Sequence, residues 1–307
     1  MACHHQAPNR DRRTVIPQAN ITAWSQIAPW AEPRQVEQDL IISRALVDIF
    51  NHDLLGSTLR FRGGTALNKI IFPKPLRYSE DIDLVRTEAS PIGPILDALR
   101  EVLEPWLGKG SFAASQVAPK LRFRVPAEDD PDARIRLKIE INIAEIEAFD
   151  PPASVPYAVE NPWFTDSTKI ATFSPEELLA TKLRALLQRD KGRDLFDLDH
   201  ALNTLPGLEI DHVISLFTRY LARTEQVIGR PEAEKRMLEK YARPDLLGDI
   251  RALLTVDRAD TMDEAANRAA FISVFTKLIE RIPGERWART NDVADQLELS
   301  ELVEEKP

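Results

Sequence analysis

The sequence predicts an α/β (α+β) protein, with a mixed-sheet N-terminal half and an α-helical C-terminal half. Three observations carry this. Residues 134–144 alternate strictly: Ile135, Leu137, Ile139, Ile141 and Ile143 on one side, Arg134, Arg136, Lys138, Glu140 and Asn142 on the other. That is the period of a half-buried strand. From about residue 174 onward, apolar residues recur almost throughout at helical spacing. Between the two patterns lies a stretch with Pro151, Pro152, Pro156 and Pro162, read as a connector.

In chain order, residues 1–33 are expected as a flexible lead-in. Arg10, Arg12 and Arg13 have no apolar block behind them, so the start does not read as a secretory signal. An α/β domain is expected over 34–173 and a helical domain over 174–307. Residues 34–55 (Leu40, Ile41, Leu46, Val47, Phe50, Leu54) read as one amphipathic helix ending near Gly56. Leu59–Arg62 reads as a strand entering Gly63-Gly64, Ala66–Ile71 as a short helix stopped by Pro73, Asp81–Val85 as a strand and Ile92–Leu107 as a helix. Strands are expected at 112–117, 121–125, 134–144 and 169–173. Helices are expected at 175–189, 194–202, 212–223, 232–241, 246–253 and 262–281. Ser174-Pro175-Glu176-Glu177 is a helix start, with a capping serine, proline at the first position and acids in the first turn.

The chain has 307 residues, 43% hydrophobic and 29% charged, the make-up of an ordinary globular protein with room for two domains. It contains no run of about 18 apolar residues, so no membrane partner is expected. Cys3 alone makes neither an internal disulfide nor a cysteine zinc cluster, and His4-His5 adds little. A reducing, cytoplasmic setting fits. A net charge of −9 excludes a protein that simply coats nucleic acid. The charge is uneven, however: Arg60, Arg62, Lys69, Lys74 and Arg77 lie in a stretch without acids, whereas residues 292–307 are acidic. Such a tail is ordinarily a solvated end.

Within Ser79-Glu80-Asp81-Ile82-Asp83-Leu84, two aspartates two apart on a strand project from one face. Carboxylates so close repel unless a cation or proton lies between them. Mg²⁺ takes oxygen ligands and leaves positions for phosphates, which suits such a pair, although solvated acids at a strand end are the plainer reading. Upstream, Arg62-Gly63-Gly64-Thr65 joins a strand to a helix start. Paired glycines let backbone approach phosphate, and free N–H groups at a helix start attract anions; a tight turn is the alternative. Glu140 is the only acid between Ala133 and Ala144, and it is either a third ligand or an exposed strand glutamate.

Gly63-Gly64-Thr65, Ser79-x-Asp81-x-Asp83 and a later strand acid resemble the DNA polymerase β-type nucleotidyltransferase superfamily. More narrowly, Arg62-Gly63-Gly64-Thr65-Ala66-Leu67 with Arg77-Tyr78-Ser79-Glu80-Asp81-Ile82-Asp83-Leu84 is similar to the AbiEii/AbiGii (MenT-like) toxin branch. Gly64-Thr65 replaces the superfamily's usual Gly-Ser, and the spacer to Asp81 is long; both suit the narrower branch. The branch has a second cluster, matched here by Lys182 through Arg193, Asp194 and Asp197. Lys182 falls on an inward stripe, where it either snorkels out or enters a polar site. Asp194 reads either as the N-cap of the next helix or as a site residue, and Asp197 is the better family match.

The resemblance implies a polymerase β-like core whose helical domain completes the active site. It implies Mg²⁺ (or Mn²⁺) on Asp81, Asp83 and Glu140, an NTP held by Gly63, Gly64, Thr65, Ser79, Lys182, Arg193 and Asp194, and catalytic roles for Asp81, Asp83, Lys182 and Asp197. The implied reaction is transfer of a nucleoside monophosphate to RNA, particularly a tRNA 3′ end. The implied setting is a phage-defence type toxin-antitoxin pair with an AbiEi-like antitoxin. The alternatives are a protein or small-molecule hydroxyl as acceptor, or an inactive binding module. For RNA, a basic collar is expected from Arg60, Arg62, Lys69, Lys74, Arg77, Arg184, Arg189, Lys191 and Arg193.

Overall fold

The structure is a computed structural model and describes residues 15–243 and 250–303. Cys3, His4, His5, Arg10, Arg12, Arg13, the start of the helix expected at 246–253, and the last acids Glu304 and Glu305 lie outside the described residues. The chain runs through α1 (Gln18–Trp24), α2 (Pro33–Asn51), α3 (Asp53–Thr58), β1 (Leu59–Arg62), α4 (Gly63–Ala66), a π-helical turn (Leu67–Ile71) and β2 (Asp81–Arg86). Next come α5 (Ile92–Leu107), β3 (Ser111–Ala113), β4 (Lys120–Pro126), β5 (Arg134–Asn142), β6 (Ala153–Asn161) and β7 (Phe164–Thr172). Then follow α6 (Pro175–Gln188), α7 (Gly192–Thr204), α8 (Ile210–Ala222) and α9 (Arg230–Tyr241). The last helices are α10 (Val256–Thr261), α11 (Glu264–Lys277) and α12 (Thr290–Gln296).

Two compact units result. A sheet unit takes Met1–Phe61, Glu80–Glu147 and Ser154–Ala171, and a helical unit takes Arg62–Ser79, Ala148–Ala153 and Thr172–Pro307. The glycine turn, expected with the sheet, therefore groups with the helices.

The sheet has seven strands in the order β3-β4-β5-β2-β1-β7-β6. It is mixed: β2 pairs with β5 in parallel, while β5 with β4 and β4 with β3 are antiparallel. The alternation in β5 holds, with Ile135, Leu137, Ile139 and Ile141 buried. The segment expected as a proline-rich connector is instead strand β6. It closes one edge of the sheet, where an exposed Pro156 removes an N–H that no neighbouring strand requires. A two-residue turn joins β6 to β7, and Trp163 N–H donates to Asn161 Oδ1 there at 2.9 Å. The Arg44 guanidinium lies 4.2, 4.7 and 4.9 Å from the rings of Trp106, Trp163 and Phe164, so α2 and α5 grip this turn through cation–π contacts.

The helix expected over 34–55 is two helices. His52 is extended and its ring nitrogen accepts from Leu55 N–H, starting α3. A side chain at Gly56 would place a Cβ 2.7 Å from the Phe50 carbonyl, so the close approach of this turn needs glycine. The expected lead-in is also shorter than 33 residues. Ile16, Ile21, Trp24, Ala28 and Trp30 are buried, and the Trp24 and Trp30 indoles donate to the buried Asp39 carboxylate of α2 at 2.8 and 3.1 Å.

In the helical unit Ser174 caps α6 by accepting from Glu177 N–H at 3.0 Å, as its sequence predicts. Buried Glu177 then accepts from Phe149 N–H, Asp150 N–H and the Tyr220 hydroxyl. One carboxylate thus ties α6, α8 and the 148–153 segment together. The helix expected over 262–281 is divided: Asp263 caps α11 by accepting from Ala266 N–H at 2.8 Å.

Candidate active site

In the sheet unit, β2 and β5 run parallel with Asp81 opposite Lys138 and Asp83 opposite Glu140. Strand alternation sends all four side chains to one face, while Ile82, Leu84, Ile139 and Ile141 fill the core behind it. Asp81, Asp83 and Glu140, expected to act together, therefore do share a face. Sequence reasoning missed what lies among them. Lys138 Nζ is 2.7 Å from Asp81 Oδ2 and 3.5 Å from Glu140 Oε2, and Lys120 Nζ is 3.3 Å from Glu140 Oε2. Partial burial opposes the Lys138 charge, but the hydrogen bond and charge of Asp81, helped by Glu140 and Asp83, raise its pKa. The signal was present, since Lys138 belongs to the same polar row as Glu140. It became legible only once the β2–β5 register was known.

The chemistry of this donor set, three oxygen-bearing carboxylates, fits a hard divalent cation. Among the described residues, no three His, Cys, Asp or Glu side chains converge as a ready metal cluster. Glu140 turns to the two lysines.

In the helical unit, Gly63 has φ +82°, a left-handed conformation that disfavours any side chain. A Cβ on Gly64 would collide with Arg77 Nη2 and lie 3.6 Å from Asp197 Oδ2. Buried Thr65 shares a 2.8 Å hydrogen bond with the Ser79 hydroxyl. Asn68, which the sequence did not single out, shapes the loop. Its Oδ1 accepts from Leu76 and Arg77 N–H at 3.1 and 3.0 Å, and its Nδ2 donates to the Gly64 carbonyl at 2.9 Å.

Arg77 requires a correction. Expected in a surface collar, it is 2% exposed and donates through Nε and Nη2 to Asp197 Oδ1 and Oδ2, both at 2.7 Å. Lys182 enters the polar interior rather than snorkelling out: Nζ lies 3.1 Å from Asp194 Oδ1 and 2.9 Å from Asp197 Oδ2. Nor is Asp194 an N-cap. Lys191 takes that position, and the Asp194 carboxylate instead receives Lys182 and a two-bond contact from Arg189 at 2.7 and 2.8 Å.

Burial pushes the pKa of Asp197 up, but the charges of Arg77 and Lys182 prevail and bring it down to about 2. Asp194 is lowered likewise, burial being outweighed by Lys182 and Arg189. Both stay ionised. Arg193 is half-buried at the start of α7, and Lys74 and Lys191 are exposed. His200 meets Phe72 edge-on at 4.7 Å. Burial and then Arg258 lower its pKa to about 4.

A sheet of this order, carrying an Asp-x-Asp strand in a chain with a Gly-Gly-Thr turn, is the build of a nucleotidyltransferase. Residues 44–289 match the AbiEii family, nucleotidyl transferase toxins of Type IV TA systems, and the chain belongs to it. MenT4, a nucleotidyltransferase toxin from Mycobacterium tuberculosis H37Rv, has a similar fold, with a TM-score of 0.56 at 17% identity over 94% of this chain and 100% of that one. An H. pylori protein described as a nucleotidyltransferase gives 0.50 at 15% identity, over 88% and 98% of the two chains. No match was found among curated proteins. Among the described residues, no helix is long and apolar enough to cross a membrane.

Proposed function

We propose that this toxin transfers a nucleoside monophosphate from an NTP to the 3′ end of a tRNA in the cytoplasm, with Mg²⁺ or Mn²⁺ as cofactor. What supports this acceptor is the resemblance of the Arg62–Leu67 and Arg77–Leu84 motifs to the AbiEii branch, and membership of a Type IV toxin-antitoxin family supports an antitoxin partner, of AbiEi type. The observation that carries the chemistry is the β2–β5 register, which sets Asp81, Asp83 and Glu140 on one sheet face. These three would hold two divalent cations, one of which would activate the acceptor hydroxyl and the other steady the leaving pyrophosphate. The acceptor oxygen bonds to the α-phosphorus as its hydroxyl proton passes to water, and the α–β phosphoanhydride breaks to release pyrophosphate.

Gly63, Gly64 and Thr65 offer backbone and hydroxyl donors to phosphate, with Ser79 holding Thr65 in place. Arg77, Lys182 and Arg189 carry three positive charges against the two of Asp194 and Asp197. Asp197 holds Lys182 and Arg77 in position, and Arg193 adds a cation at the start of α7. The deciding experiment is incubation with total RNA, with bulk protein and with each labelled NTP in turn. Label on tRNA supports the reading. Label on protein or on a small molecule refutes this acceptor, and no label on anything refutes the transfer.

A further inference from the structure

Six charged residues form a small grid on the polar face of the sheet. Across β4, β5 and β2, one row is Lys120, Glu140 and Asp83, and the next is Arg122, Lys138 and Asp81. Three cations thus stand among three carboxylates. In the direction of the chain, Lys138 sits beside Glu140; across the register, it sits opposite Asp81. Its ammonium touches both, at 3.5 and 2.7 Å. Nothing in the fold of β5 demands a cation here, because its core side is complete without it: Leu137 and Ile139 are buried on the opposite face.

We propose that Lys138 is a built-in counter-cation, which occupies the acidic face in the metal-free protein and must withdraw before a divalent ion is held. This rests on the reading of Asp81, Asp83 and Glu140 as the metal-holding set. An ammonium 2.7 Å from Asp81 Oδ2 repels a divalent ion brought to the same carboxylates, so the two compete for this face. Side-chain exposures of 31% for Lys138, 36% for Asp81 and 28% for Glu140 leave the ion pairs open to water. Such half-exposed pairs are weak, and a lysine on a four-carbon stem can leave without moving the strand. Its natural new partner is a phosphate of the incoming nucleotide. The free protein therefore takes up a divalent ion poorly, and ion and triphosphate load together. Lys120, which meets Glu140 only, contributes the same effect more weakly.

The test uses the full chain and Mn²⁺ alone, without nucleotide, with binding read by electron paramagnetic resonance. Lys138→Met should bind Mn²⁺ about tenfold more tightly than wild type, about 1.4 kcal/mol. Lys120→Met should gain less, and Lys138→Arg should remain as weak as wild type. A non-hydrolysable NTP should tighten Mn²⁺ binding in wild type more than in Lys138→Met. Equal Mn²⁺ affinity in wild type, Lys138→Met and Lys120→Met, with binding lost on Asp83→Asn, would overturn the role of Lys138 and keep the acidic face as the metal site. Mn²⁺ affinity unchanged by Asp83→Asn in the Lys138→Met background would overturn the metal reading itself. Should Lys138→Met not fold, as judged by circular dichroism, Lys120→Met against wild type decides.

Discussion

Asp197 is where the charges of the helical unit converge: one fully buried carboxylate receives Arg77 on both oxygens and Lys182 on one. Removing Lys182 leaves Asp194 and Asp197 each short of a partner in the interior. Lys182→Ala should therefore destabilise the protein by about 3 kcal/mol, the scale of breaking a buried ion pair, and also lower NTP affinity or turnover. A fall in melting temperature with normal specific activity of the folded fraction would confine Lys182 to scaffolding. The sheet face answers differently. Asp81→Asn or Asp83→Asn deletes a charged ligand from a half-exposed row, so transfer should vanish while the fold stays intact. Both variants retaining wild-type rates in magnesium would show that the cation is held elsewhere.

At the scale of elements, Glu37 on α2 gives a pH dependence. It is 1% exposed, accepts a 3.2 Å hydrogen bond from Glu128 N–H, and its other oxygen has no hydrogen-bond partner among the described residues. Burial raises its pKa from 4.5 to about 7. The unfolded chain releases this proton near pH 4.5 and the folded one only near 7, so its contribution is full below pH 4.5 and lost as pH rises through 7. The loss is at most about 3 kcal/mol. Glu37→Gln should be more stable than wild type at pH 8 and flatten that limb of the stability profile; a wild-type profile unchanged in the variant would exclude it. The same element shows what the sequence could reveal. Periodicity sufficed for α2, α5, α6 and β5, whose apolar faces meet a core. It could not announce the break at His52, a local capping event, nor that Pro156 lies on an edge strand, which depends on strand order. The shared face of Asp81 and Asp83 was legible because the two lie two apart on one strand. Arg77 was not, because its partner Asp197 lies 120 residues away.

For the whole molecule, the net charge of −9 means that an RNA acceptor must be drawn by a local field. With Arg77 committed to Asp197, the exposed Lys74 and Lys191, both in the helical unit, are the collar residues best suited to carry it. That unit has a second basic feature: Arg219 of α8 and Arg223, just past its end, lie 3.8 and 3.9 Å from the Phe149 ring, a cation–π cluster. Each phosphate contact releases counterions, so RNA modification should weaken steeply with salt, while NTP binding, a smaller charge event, should weaken less. Lys74→Glu combined with Lys191→Glu removes two contacts if both reach single-stranded RNA. The slope of log affinity against log salt should then become shallower by roughly 1.4, at about 0.7 per contact. RNA modification at a fixed salt concentration should fall far more than NTP affinity. The two quantities are separable by measuring labelled NTP binding and label transfer to RNA on the same variant across a salt series. Transfer that ignores salt, or a double reversal that weakens NTP binding as much as RNA modification, would move the acceptor off this surface.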